Sequence, residues 1–180
     1  MAGLVDELEV PAFGPLRAAA RLEGSKAFAK EVMEEAGVPT AAWSRVGGVE
    51  EGLRAIERYP VVIKADGLAA GKGVFIATDE AAARAALAEV FERRAFGDTG
   101  AIVEEHLVGP ELSLLAVCDG ERAVALAPAR DFKRIYDGDE GPNTGGMGAY
   151  SPVPEIGAED VEEIVRTVHQ PVVDRMRARG

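Results

Sequence analysis

The sequence predicts an α+β fold. Three observations carry that expectation. Four stretches place apolar residues at helical spacing, and two pairs of short β-type runs are joined by turn-forming residues. Their order, α, β, α, ββ, α, β, ββ, loop, α, mixes hairpins with helices, unlike a doubly wound sheet.

Residues 1–14 read as the tail of a preceding domain, because Leu4-Val5-Asp6-Glu7-Leu8 resembles the end of a helix. Ser25 is a candidate N-cap for a helix whose inner face is Phe28, Ala29, Val32, Met33 and Ala36; Gly37-Val38-Pro39 should stop it. A strand is expected over 41–46 and a helix over 50–59, with Leu53, Ile56 and Tyr59 facing inward. Val61 to Ile76 then reads as two strands around a Gly/Ala loop. Thr78 or Asp79 should cap a helix to about Arg94 that buries Ala83, Ala86, Leu87, Val90 and Phe91.

Ala101 to Leu107 begins as a strand and ends in charge. Leu112–Cys118 and Arg122–Ala129 should pair through the Asp119-Gly120 turn. The stretch 131–154, rich in glycine and proline, is expected to be an irregular loop. Val161, Ile164, Val165, Val168 and Val172 mark a last helical face, with a kink near Pro171.

Composition narrows the function. The 180 residues suffice for one domain or two small lobes, and the hydrophobic fraction of 47% is globular. No apolar run approaches the ~20 residues of a membrane helix, and no basic segment followed by an apolar one opens the chain. Cys118, the single cysteine, lies in an apolar run and reads as a reduced core residue, in keeping with a cytoplasmic protein. Trp43 also reads as core. A net charge of −11 speaks against nonspecific nucleic-acid binding, so an anionic ligand must be held by local cations.

The chemistry concentrates in Lys64-Ala65-Asp66-Gly67-Leu68-Ala69-Ala70-Gly71-Lys72-Gly73. Bare amides and two ammonium groups between short strands suit a flap over a polyphosphate. A Walker loop does not fit. Gly67 and Gly71 are separated by three residues rather than four, Gly73 stands where Ser or Thr would hold a metal, and a strand follows instead of a helix. The plainer reading of Lys64 is a lysine snorkelling from a strand end, and of Lys72 a solvated loop residue.

Glu104 and Glu105 end a strand and Glu111 follows Gly109-Pro110; either this is a solvated edge, or backbone groups and a carboxylate receive an adenosine. Gly138 to Pro154 is a linker or a binding loop, and Gly145-Gly146 offers unobstructed amides for an anion. Asp131, Lys133 and Arg134 suit the mouth of a site. His106 and His169 have no partner at metal-ligand spacing, and no Ser-His-Asp set or nucleophile elbow is visible.

Two motifs in series, Ile63 to Val74 and Gly141-Pro142-Asn143-Thr144-Gly145-Gly146-Met147-Gly148-Ala149-Tyr150-Ser151-Pro152, resemble those of the phosphoribosylamine–glycine ligases (glycinamide ribonucleotide synthetases) of the ATP-grasp superfamily. Glu23 to Phe28, Val103 to Leu107 and Asp131 to Arg134 fall at matching places. The resemblance implies ATP-dependent carbon–nitrogen ligation in purine biosynthesis. Glycine becomes a glycyl phosphate, and 5-phosphoribosylamine displaces the phosphate.

By that resemblance Lys26, Lys64, Gly71 and Lys72 serve the ATP phosphates, Glu104, Glu105, His106 and Leu107 line the adenine, and Glu111 holds the ribose. Arg134 and Asn143 lie near the phosphates. Asp131, Lys133, Thr144, Gly145, Gly146, Met147 and Gly148 face the acceptor substrate. The flap Gly67–Gly73 would exclude water from the acyl phosphate. The domains implied are residues 15–60 as lead-in, 61–108 as flap lobe and 109–180 as the start of a second lobe.

The resemblance also implies Mg²⁺ or Mn²⁺, with ligands in a carboxylate strand that this chain does not carry, so no metal ligand and no catalytic residue is assigned. The chain is therefore expected to be a partial ATP-grasp domain that binds ATP without completing the reaction, and to self-associate through uncovered apolar surface. The alternatives are another ATP-grasp carboxylate–amine ligase and a non-catalytic ATP-binding fragment.

Overall fold

A computed structural model describes residues 13–69, 73–138 and 140–180, with backbone alone at Pro142 and Asn143. Two compact units divide the chain. One holds the residues up to Glu31, Ala41–Ala69 and Gly73–His106; the other holds Val32–Thr40 and Leu107–Gly180.

The first unit is a four-stranded antiparallel sheet in the order β1-β4-β2-β3, formed by β1 (Trp43–Val46), β2 (Val61–Ala65), β3 (Val74–Ala77) and β4 (Ala101–Glu105). Its helices are the short α1 (Arg21–Gly24), the first part of α2 (Lys26–Glu35, whose residues from Val32 on are grouped in the other unit), α3 (Val49–Arg54) and α4 (Glu80–Phe91). The expected hairpin forms, with Val61 opposite Ala77 and Lys64 opposite Val74. The pleat then sorts the side chains, since residues two apart share a face. Val61, Ile63, Ala65, Ala101, Val103, Val46 and Ala77 face α4 and join its Ala83, Ala86, Leu87 and Val90 in one core. Leu87 and Ile63 are fully buried, each worth roughly 1.5–3 kcal/mol of apolar transfer. Val62, Lys64, Ile102 and Glu104 take the opposite face.

Asp79 caps α4, its Oδ1 accepting from the Ala82 amide at 2.8 Å. Ser25 caps α2 by accepting from the Phe28 amide at 3.1 Å, and Gly37 leaves the helix at φ 68°. The helix expected over 50–59 stops at Arg54, and Tyr59 lies partly exposed. Its last stretch lacks further apolar residues to bury beyond Ile56.

The second unit contains a short hairpin of β5 (Ala116–Cys118) and β6 (Ala123–Ala125), and a long one of β7 (Arg130–Tyr136) and β8 (Glu140–Tyr150). Asp119 Oδ1 closes the first turn by accepting from the Glu121 and Arg122 amides. The irregular loop expected over 131–154 is thus largely a hairpin. Its sequence lacks alternation because the pairing is bulged, with register shifts between Phe132 and Arg134 and again before Tyr136. Gly141 sits at φ 85°, where a Cβ would lie 2.5 Å from Tyr136 Cδ2, so this strand position needs glycine.

The last helical region runs as α5 (Ala158–Ile164), a wider π turn (Val165–His169) and α6 (Gln170–Arg179). Pro171 explains the π turn. It offers no amide to the preceding turn and its ring crowds a carbonyl there, so the turn widens where a kink was expected. Cys118 is exposed on its short strand, not buried as the apolar run implied; β5 and β6 form a two-stranded sheet of their own, on whose two faces Cys118 and Val117 are both exposed. Among the described residues no helix is long and apolar enough to cross a membrane.

Candidate functional site

In the first unit the start of α2 is tied to the end of β2. Lys26 Nζ donates to the carbonyls of Ala65 at 3.0 Å and Gly67 at 2.8 Å. Asp66 accepts from Ser25 Oγ at 3.0 Å and from the Ala27 amide at 3.2 Å. The Asp66 amide donates to the Gly100 carbonyl at 2.8 Å, and Thr99 Oγ1 donates to the Asp66 carbonyl. The base of the flap is therefore held on three sides. An ammonium has three N–H donors, and these two carbonyls use two of those of Lys26.

Above that base, Lys64 pairs with Glu104 Oε1, and Lys30 Nζ lies 2.9 Å from Glu104 Oε2. Glu104 is buried at 6% exposure, while the Lys64 side chain keeps 28%. The Lys30 contact has the distance of an ion pair without hydrogen-bond alignment, leaving that oxygen no aligned donor among the described residues. Glu105 points to the other face of the sheet and pairs with Arg58. Arg58, Trp43, Ala55, Val61, Glu104 and Glu105 line a cavity of about 280 Å³. Lys64 is not among its lining residues. Trp43 is half-buried at its edge rather than enclosed in the core. His106 ends this unit partly buried.

In the second unit, Leu107 and Glu111 are exposed. Lys133 Nζ bridges Asp131 Oδ2 at 2.6 Å and Glu111 Oε2 at 3.3 Å. The hydrogen bond from Lys133 holds the Asp131 carboxyl below the usual range, and its partner Asp131 holds the Lys133 ammonium above its ordinary value. Arg130 Nε donates to the Glu111 carbonyl at 3.0 Å, and its Nη1 to Tyr150 Oη at 3.1 Å. Arg134 Nη1 reaches the Gly141 carbonyl at 3.4 Å, and the β7–β8 register sets Arg134 opposite Asn143. Thr144 Oγ1 donates to the Lys133 carbonyl at 2.9 Å and accepts from the Gly146 amide at 3.0 Å. Gly145, Met147 and Gly148 are exposed along β8.

With this geometry in view, the chain can be set beside known proteins. The family model for the phosphoribosylglycinamide synthetase ATP-grasp (A) domain matches residues 24–180. This chain belongs to that family. Among its relatives, the phosphoribosylamine–glycine ligase of Streptomyces coelicolor is 54% identical over 183 residues, covering 100% of this chain and 42% of that protein. That of Leptospira interrogans is 44% identical over 187 residues, covering 100% of this chain and 44% of that protein. The crystal structure of the phosphoribosylamine–glycine ligase of Thermotoga maritima superposes with a TM-score of 0.82 at 38% identity, over 93% of this chain and 44% of that one. The D-alanine–D-alanine ligase of Coxiella burnetii, at 19% identity and TM-score 0.74 over 98% of this chain and 46% of that one, shares the fold. The chain thus spans less than half the length of the curated relatives it matches.

For this ATP-grasp chain the α+β expectation holds. The structure brings Lys26 and Lys64 to the flap base and Lys64 to Glu104; it joins Glu111, Asp131 and Lys133 in one charge cluster. It separates Glu104 from Glu105, which fall on opposite faces. Gly71 and Lys72 lie outside the described residues, as do residues 1–12, and the Asn143 side chain is not described. Two residues escaped the sequence reading, Lys30 and Asp66. The signal for Lys30 was its place four residues after Lys26, one turn along the same helical face. Among the described residues no group of three or more His, Cys, Asp or Glu side chains could hold a metal ion.

Proposed function

We propose that this chain supplies nucleotide-binding machinery of an ATP-dependent phosphoribosylamine–glycine ligase acting in purine biosynthesis in the cytoplasm. The observation that carries this reading is the Lys64–Glu104 pair rising from a flap base pinned by Lys26, in a chain of this family. In the reaction, a glycine carboxylate oxygen attacks the γ-phosphorus of ATP, giving glycyl phosphate and ADP. The amine of 5-phosphoribosylamine then attacks the acyl carbon, phosphate leaves, and the amine proton is lost. Nothing covalent is asked of this chain; its work is positioning and charge neutralisation.

In the first unit, Lys26 and Lys64, with Gly71 and Lys72, take phosphate oxygens, and residues 104–107 take the adenine. In the second, the reading gives Glu111 the ribose hydroxyls and Arg134 and Asn143 phosphate oxygens. Asp131, Lys133 and the Thr144–Gly148 strand serve the acceptor substrate. Mg²⁺ or Mn²⁺ accompanies ATP in this reading without a ligand from this chain. The domain reading is 1–14 as the tail of a preceding domain, 15–60 as lead-in, 61–108 as flap lobe and 109–180 as the start of the second lobe.

Calorimetry of the chain with MgATP tests this. Binding is expected, with a loss of about tenfold or more for Lys64→Ala, since one ammonium–phosphate contact is worth roughly 1.5–3 kcal/mol. Equal affinity for the variant and the parent would remove the phosphate assignment.

The chain is also proposed to self-associate with a second copy. Leu115, Val117, Val124 and Leu126 are 45–68% exposed, and register places Val117 beside Val124 on one face of a two-stranded sheet. A sedimentation coefficient that does not change with concentration would refute this.

A further inference from the structure

We propose that Lys30 is a positioning residue of the phosphate site: it neutralises Glu104 so that the charge of Lys64 remains available to an anion. The proposal rests on the reading of Lys64 as a phosphate ligand and extends it to a residue that does not itself reach the nucleotide.

The charges gathered around Glu104 do not cancel. Glu104 is buried between two lysines, with Lys64 on one oxygen and Lys30 on the other. A lysine paired one to one with a buried carboxylate presents a neutral pair, whose attraction for a triphosphate falls off far faster than that of a free charge. Two ammoniums around one carboxylate sum to +1. The excess reaches solvent through Lys64, whose side chain keeps 28% exposure against 12% for Lys30.

The fold arranges this cheaply. Lys64 and Glu104 share a sheet face because Lys64 is opposite Ile102 and Val62 opposite Glu104. Lys30 follows Lys26 by one turn of α2, so the helix that pins the flap base also delivers the compensating ammonium. Lys30 Nζ is steadied by the Ala41 carbonyl at 3.3 Å. Glu104 in turn fixes where the Lys64 ammonium sits, so one carboxylate orients the phosphate ligand and one lysine cancels the cost in charge.

A merely structural role for Lys30 would look different in a double-mutant cycle read by anion binding. The probe is inorganic tripolyphosphate, which has no adenine, titrated calorimetrically into the parent chain, Lys30→Met, Lys30→Arg, Glu104→Gln and the Lys30→Met/Glu104→Gln double variant. Thermal midpoints are recorded for each. Lys30→Met is expected to lose about tenfold in affinity, and Lys30→Arg less than about threefold, since the charge is kept. Adding Glu104→Gln to Lys30→Met should raise affinity again by about tenfold, because Lys64 then stands beside a neutral amide.

If Lys30→Met lowers only the thermal midpoint and binds tripolyphosphate like the parent, the proposal is overturned while the phosphate assignment of Lys64 survives. If Lys30→Met does not fold, the double variant decides, for it buries no unbalanced carboxylate; affinity tenfold below the parent there overturns the proposal. A parent chain that binds neither tripolyphosphate nor MgATP overturns the nucleotide reading itself, and this inference with it.

Discussion

Asp66 caps α2 from the bend just after β2: its Oδ2 accepts from Ser25 Oγ at 3.0 Å, 41 residues away in sequence, and its Oδ1 accepts from the Ala27 amide at 3.2 Å. One carboxylate thereby joins the first turn of the helix to the root of the flap. Asp66→Ala should cost about 1–3 kcal/mol, since it strands an amide and a hydroxyl in a partly buried place. It should also weaken MgATP binding, because Lys26 and Lys64 are positioned from the same root. Denaturant titration and calorimetry check both, and a variant as stable as the parent would show that Ser25 alone caps the helix.

The approach of α3 to α4 turns on Gly52. A Cβ at this buried position would lie 2.6 Å from Leu87 Cδ2, inside any real contact distance. Gly52→Ala should therefore destabilise by about 1–3 kcal/mol through overpacking, partly recovered when Leu87 is shortened to Val. The thermal midpoint of the single and double variants is the readout. Additive losses would mean that the helices separate freely, against a close approach here.

Much of the first unit was legible in its sequence because its central strands are short apolar runs bounded by turn residues and its caps are local. Val61 to Ile76 could be read as a hairpin, and Ser25, Asp79 and Gly37 marked their helix ends within a few residues. The second unit was less legible for a physical reason. β8 carries glycines where a strand would ordinarily show alternation, and its pairing with β7 is interrupted by bulges and supported by side-chain bonds such as Thr144 to Lys133, which no periodicity reveals. The site divides the same way. Lys64 announced itself by position in a motif and Glu111 by its place after Gly109-Pro110, whereas Lys30, on a helix, acts through a partner 74 positions on, Glu104, and only the fold brings that helix to the strand.

Glu35 gives the acid side of stability a specific origin. Hydrogen bonds from Arg179 first, then Arg175, hold its carboxyl below the ordinary value of 4.5. The folded pKa is thus the lower one, so between the two values the unfolded chain binds more protons and stability rises with pH. The contribution is full above about 4.5 and is lost as pH falls through the folded value. Glu35→Gln should flatten that part of the stability–pH curve below 4.5 and leave the curve above pH 6 with the same shape. An unchanged acid limb would assign the dependence to other carboxylates.

Glu111 can be separated from the phosphate ligands by the choice of ligand. Its side chain is 74% exposed and shares Lys133 with Asp131, which holds the lysine at 2.6 Å against 3.3 Å for Glu111. Lys133 therefore stays with Asp131 when Glu111 turns to another partner, and the folded chain loses little with Glu111, on the order of 0.5 kcal/mol or less for so exposed a pair. If the carboxylate receives ribose hydroxyls, Glu111→Ala should weaken MgATP about tenfold or more, since each bond to a charged acceptor is worth roughly 1.5–3 kcal/mol. Tripolyphosphate, lacking a ribose, should bind the variant as it binds the parent. Parallel titrations with the two ligands make the comparison, and equal losses for both would move Glu111 from the sugar to the general field of the site.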